Sequence, residues 1–169
     1  MLQLIRTLWY ICLLRDGPQD IPAGKSILPW VLLMHLLVGT LYGSAFSNLI
    51  HALYMELASL LVTVAFIRVA LLLSNKLARF EQSASALLGS DVIISAVGIL
   101  LALILGQALG LESLLSSSSV LLFIWGYIVS AHIFRHTFEI TFAGGLGMTF
   151  LYFMVVIMAV GMLQGSTGS

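Results

Sequence analysis

Asn48-Leu-Ile-His-Ala-Leu-Tyr-Met-Glu-Leu-Ala-Ser-Leu-Leu-Val-Thr-Val-Ala-Phe-Ile-Arg-Val-Ala-Leu-Leu-Leu-Ser74 is the stretch that decides the fold. Lipid offers a peptide group no hydrogen-bond partner, so a chain crosses hydrocarbon as a helix that satisfies its own backbone, and this takes about 20 apolar residues. The stretch is long enough, and Glu56 and Arg68 are its only formal charges. Working outward, Ile27 to Ser47, Asp91 to Leu111, Ser118 to Phe138 and Phe142 to Leu163 meet the same test. The expectation is an all-α polytopic membrane bundle of about five transmembrane helices, a single domain over residues 1–163, with 164–169 as a flexible glycine- and serine-rich tail.

Composition agrees. Of 169 residues, 60% are hydrophobic and 8% charged, against roughly a quarter charged in a soluble domain. Seven basic and seven acidic side chains, at a mean hydropathy of +1.11, cannot cover a water-facing surface. The net charge is zero and no basic stripe exists, so no nucleic-acid partner is expected. The single cysteine, Cys12, lies in an apolar stretch and reads as a buried, inert thiol.

Residues 1–14 read as an interfacial amphipathic helix retained on the mature protein. Arg6 interrupts the apolar run, no small-x-small cleavage site follows, and Leu2, Ile5, Leu8, Trp9 and Cys12 share one side. Gly17, Pro18 and Pro22 make Arg15 to Ser26 a turn-rich polar loop. Asn75 to Ser90, with Leu77, Phe80, Ala84, Leu87 and Leu88 at helical spacing and Lys76, Arg79, Glu81 and Gln82 interleaved, reads as a second surface helix leading into the third span. The serine run Ser116 to Ser119 is expected to cap the start of the fourth span, after a Glu112 to Ser117 link.

Threading five spans with the N-terminus inside places Arg6, Arg15, Lys25, Lys76, Arg79 and Arg135 on the cytoplasmic side, with Arg68 in the inner part of the second span. This obeys the rule that Lys and Arg stay inside, and it leaves the C-terminus outside.

Ionisable groups in a span cost roughly 2.5 to 3.5 kcal/mol each on insertion scales, so each needs a reason. His132, Arg135, His136 and Glu139 fall at i, i+3, i+4 and i+7 on one helical face. They suit a helix leaving the membrane with Glu139 paired to Arg135, or binding of a metal, a headgroup or a partner. Glu56 lies some two turns below the outer surface; His51 is at a poor same-face spacing, so its partner is expected on another helix. Arg68 is expected to pair with Asp91, at the cytoplasmic start of the third span, or with Glu139. His35 alone reads as a core histidine; were it to meet His132 and His136, three imidazoles would form a metal site. No catalytic residue, metal ligand or cofactor is assigned, because HExxH, GxSxG, phosphate-loop and CxxC patterns are all missing. Gly39-x-x-x-Gly43, Gly106-x-x-x-Gly110 and the cluster Gly144, Gly145 and Gly147 match close helix approach or dimerisation.

Arg15-Asp-Gly-Pro-Gln-Asp-Ile-Pro22, Asn75-Lys-Leu-Ala-Arg-Phe-Glu-Gln-Ser-Ala-Ser-Ala-Leu-Leu-Gly-Ser90 and Trp125-Gly-Tyr-Ile-Val-Ser-Ala-His-Ile-Phe-Arg-His136 together resemble the small bacterial membrane proteins grouped with the Yip family, the five-span proteins of the eukaryotic secretory pathway that bind Rab GTPases. The resemblance runs from Arg15 to about Tyr152. It implies five spans, a cytoplasmic N-terminus and a bacterial inner membrane with a periplasmic C-terminus. The long soluble N-terminal region of the eukaryotic members has no counterpart, so Rab binding is not implied.

The resulting expectation is a non-enzymatic scaffold or accessory protein whose partners are membrane lipids and other membrane proteins, or further copies of itself. The alternative is a small permease or ion-coupled carrier using the intramembrane Glu and His residues, and a third reading is an intramembrane metal enzyme. Dispersed polar pairs favour the scaffold; a cluster around a cavity favours transport or catalysis.

Overall fold

Long apolar runs leave the backbone little choice but the helix, and the computed structural model is built from helices. It describes residues 2–22, 27–45 and 47–167, except the side chains at 106–108, 112–113, 115–116 and 164–167. Six helices follow one another: α1 (Leu2–Cys12), α2 (Ile27–Gly43), α3 (Leu49–Leu73), α4 (Phe80–Leu101, prolonged by a π-helical turn, Ala102–Ala108), α5 (Glu112–Phe138) and α6 (Phe142–Thr167). No strand occurs among the described residues. Lys25 lies outside the described residues, as do positions 168–169 of the tail, while 164–167 continue α6.

Four stretches, Leu49–Leu73, Leu77–Leu105, Ser117–Phe138 and Phe142–Leu163, are long and apolar enough to cross a membrane. The protein is a multi-pass membrane protein on that ground. Helix α2 is equally apolar but has 17 residues, which is the lower limit for spanning. Leu121, Leu73 and Met162 are more than two-thirds exposed, as a bundle solvated by lipid requires.

Local chemistry sets the helix ends. Asn48 caps α3 by accepting a hydrogen bond from the His51 backbone N–H at 2.8 Å. Gly110, at φ +63°, supplies the left-handed turn after the π-helical segment. Helix α5 then begins at Glu112 with Leu111 as its cap. The serines 116–119 therefore lie inside the helix rather than at its start, and the link is shorter than the sequence suggests.

Two other expectations are corrected. The region before Asp91 is no separate surface helix. It is the first half of α4, and Ser83 to Ser90 are all buried. These residues are small, so α1, α2 and α5 come close to α4: Leu8 of α1 lies against Gly89, and Thr137 of α5 donates to Ser83 Oγ at 3.0 Å. Helix α1 divides its apolar residues differently from the expected face. Leu8, Ile11 and Cys12 are buried in the bundle, while Leu2, Ile5 and Trp9 stay exposed, free to meet lipid. The Arg15 to Ser26 loop is partly internal, since Ile21 is 3% exposed and Pro18 is buried.

The core joins α1, α3, α4 and α5 around Ile11, Ile67, Leu71, Leu87 and Phe134. Helix α6 is tied to it by Thr63 and Tyr152, whose hydroxyls lie 3.0 Å apart, and by Phe66 and Phe134 packed on the Tyr152 ring. Cys12 is 1% exposed, with its Sγ 3.8 Å from the Ser90 carbonyl, and burial pushes its thiol up to about 11. It is protonated and unreactive near neutrality.

Candidate functional site

Three ionisable residues from three helices meet halfway through the bundle. His35 sits midway along α2, about 12 Å from either end at 1.5 Å per residue. Glu56 is two turns into α3, and Asp91 lies in the interior of α4. His35 Nε2 is 2.9 Å from Glu56 Oε1, and its Nδ1 is 3.3 Å from Asp91 Oδ2. One ligand-type atom from each residue can be chosen so that all three lie within 4.8 Å of one another.

The distances are those of ion pairs, but the directions are not those of hydrogen bonds. Both ring nitrogens of His35 and Oε1 of Glu56 are buried without a hydrogen-bond partner among the described residues. His35 is 5% exposed, so water does not stand in freely. The imidazole stands between two carboxylates at ion-pair distance, without good hydrogen-bond geometry to either.

The three residues line a cavity of about 150 Å³, together with Ser59, Ser90 and Ser130. Asp91 lies deep in the bundle, yet its side chain is 56% accessible, because it faces this opening. The volume suits an ion with a few waters, at about 30 Å³ per water.

Gly39 completes the site. It lies one turn beyond His35 on α2, and a Cβ there would run into the Glu56 carboxylate. The glycine clears the space the carboxylate occupies. Gly43, its partner in the expected packing motif, faces Ala52, whose Cβ would lie 3.4 Å from a Cβ placed on the glycine. Gly39-x-x-x-Gly43 therefore serves contacts within one chain. Gly106-x-x-x-Gly110 falls in the π-helical turn and the bend after it. In the third cluster, Gly145 makes the close approach, against the Ala131 carbonyl of α5.

The other candidates lie elsewhere. His132 and His136 pack edge to face with ring centroids 4.5 Å apart, and His132 Nε2 is 3.0 Å from the Asp16 carbonyl. They do not join His35, so the three-imidazole site is not formed. Arg135 is exposed. Arg68 lies over the Phe80 ring at 5.8 Å rather than against Asp91 or Glu139, a cation–π contact that offsets part of its cost near lipid.

Glu139 leaves the expected stripe because α5 ends before it. At φ 58° and ψ 43° it is the left-handed cap, which swings its carboxylate away from Arg135 to Lys76 and Arg79. Lys76 Nζ donates to Glu139 Oε2 at 2.7 Å and to the Phe138 carbonyl at 2.8 Å. Arg79 donates to the Thr137 carbonyl at 3.1 Å and to Glu139 Oε1. The two cations thus cap the free carbonyls of α5, where the helix dipole favours positive charge. Hydrogen bonds from Lys76 and Arg79 hold the Glu139 carboxyl down to about 2, from an ordinary 4.5. A depressed carboxyl contributes stability fully above its unfolded pKa and loses it as pH falls through the folded one. Glu139→Gln should therefore lower the melting temperature at pH 7 and change little near pH 2. An equal loss at both pH values, measured by thermal unfolding in detergent, would show that the charge is not the cause.

Comparison of the chain with protein-family models, with curated proteins and with solved structures gives no match.

Proposed function

We propose that this protein is a small ion-coupled carrier whose ion-handling centre is His35, Glu56 and Asp91. One observation carries the reading: three ionisable side chains from separate helices converge on a cavity inside the bundle, with Gly39 cleared to admit one of them. Intramembrane ionisable groups that line a cavity mark ion or substrate pathways. The scaffold reading draws on dispersed pairs, and the Lys76–Arg79–Glu139 group at the end of the bundle is of that kind. It accounts for how α5 is held and leaves the central triad without a purpose.

The proposal includes no covalent catalysis. It places five spans in a bacterial inner membrane, with α2 as the shortest, the N-terminus in the cytoplasm and the C-terminus in the periplasm. Its support is the sorting of Lys and Arg to one side and the layout that the resemblance to Yip proteins implies. Lipids are its solvent and its neighbours.

Purified protein in liposomes with an imposed ion and pH gradient should accelerate dissipation of that gradient. Glu56→Gln and Asp91→Asn should each reduce the rate at least about tenfold, since each removes a charge that only the cavity justifies. Wild-type liposomes no leakier than empty ones, or variants that match wild type, would overturn the carrier reading.

A further inference from the structure

We propose that His35, Glu56 and Asp91 bind a divalent first-row transition-metal cation. This rests on reading the triad as an ion-handling centre and names the ion that it handles.

Charge is the first argument. Two carboxylates facing one cavity inside the bundle would, when both are ionised, bring two negative charges together there, which a low dielectric penalises. None of Arg6, Arg15, Arg68, Lys76, Arg79 or Arg135 stands against them. Lys76 and Arg79 are engaged with Glu139, Arg68 lies over Phe80, and Arg6 lies over Tyr10. One divalent cation cancels both charges and leaves a neutral centre.

The second argument is the unpaired imidazole. A buried histidine ordinarily bonds through both nitrogens, whereas neither ring nitrogen of His35 meets a partner with good hydrogen-bond geometry among the described residues, although carboxylate oxygens lie 2.9 and 3.3 Å away. A ring nitrogen and a carboxylate oxygen this close without hydrogen-bond geometry offer electron pairs that a cation would satisfy. Two ligand atoms 2.9 Å apart, each about 2.1 Å from a metal, subtend roughly a right angle. That is the angle between neighbouring ligands of a six-coordinate ion. The cavity has room for waters to complete the shell.

Donor type narrows the class. Calcium and magnesium sites are built from oxygen, and soft ions call for thiolate or thioether. Cys12 has its Sγ against the Ser90 carbonyl and is not one of the three ligands. One imidazole with two carboxylates suits Mn²⁺, Fe²⁺, Co²⁺ or Zn²⁺.

The full chain in lipid nanodiscs, stripped with a chelator and titrated with Mn²⁺, provides the test. Electron paramagnetic resonance should show one Mn²⁺ bound per chain, with electron spin-echo modulation from a directly coordinated nitrogen. Labelling histidine with ¹⁵N should change that modulation in the wild-type protein, a readout independent of how any variant folds. His35→Gln should abolish it. Glu56→Gln and Asp91→Asn should each weaken binding by roughly 10- to 100-fold, while Glu139→Gln, at the far network, should bind as wild type does. Absence of bound Mn²⁺, or bound Mn²⁺ with no histidine nitrogen in its shell, would overturn the metal site. The liposome assay separates the two proposals: flux without metal binding removes the metal and keeps the carrier, and metal binding without flux does the reverse.

Discussion

Gly39→Ala should give a folded protein with a silent centre. The new methyl enters the space of the Glu56 carboxylate, and two responses are open: α2 moves away from α3, or the Glu56 side chain swings aside. The carboxylate is the free end of a side chain with three rotatable bonds, so it yields first and leaves His35. The helix itself gains from the change, since alanine exceeds glycine by about 0.5 to 1 kcal/mol in a helix interior. The melting temperature in detergent should hold or rise slightly, while Mn²⁺ affinity and liposome flux both fall at least about tenfold. Separation of function from stability is the signature. Unchanged binding and flux in this variant would show that Glu56 is not where the centre needs it.

Gly145→Ala should act in the opposite way and damage the fold. Its Cβ would strike the Ala131 carbonyl oxygen, with Ala131 C at 3.2 Å and Arg135 N at 3.3 Å. These are backbone atoms of α5, and no rotamer change removes them. Helices α5 and α6 must part, and overpacking of this kind costs about 1 to 3 kcal/mol. For a chain of this size that corresponds to a fall in melting temperature on the order of 5 °C. Gly147→Ala is the control, because a Cβ there meets nothing within 4 Å and the helix gains propensity. If the two variants melt together, the close approach of α5 and α6 at Gly145 is wrong.

The helices were legible in the sequence because hydropathy depends only on neighbours along the chain. Asn48 to Ser74 and Phe142 to Leu163 carry enough apolar residues to announce themselves, and the observed α3, Leu49–Leu73, and α6, Phe142–Thr167, match them closely. The amphipathic first helix was legible too, though not its inner face, because that face is chosen by Gly89 and its neighbours on α4.

What sequence could not supply is register between helices. His35, Glu56 and Asp91 were each visible as unusual, but a histidine in one span and a carboxylate in another meet only if their depths and faces match. Asp91 was further obscured by Ser83, Ser85, Gly89 and Ser90 before it. Lys76, Arg79, Glu81 and Gln82 interleaved with apolar residues suggested a surface helix there, whereas the small residues that follow them let α1 and α5 press against α4. Gly39 misled for a related reason, since spacing alone fits glycine to helix packing and cannot reveal a carboxylate in the vacated space. The stripe from His132 to Glu139 failed on geometry, because same-face spacing holds only while the helix lasts, and α5 ends at Phe138.

Dipolar dephasing between ¹⁵N-histidine side chains and ¹³C-carboxyl groups of Glu and Asp, measured by solid-state NMR on the protein in bilayers, addresses that meeting of three helices most directly. Both imidazole nitrogens of His35 should dephase against carboxyl carbons, one through Glu56 and the other through Asp91, and His35→Gln should erase both signals. Histidine signals that show no carboxyl coupling, or coupling that survives His35→Gln, would place the three residues apart and leave the bundle without a centre.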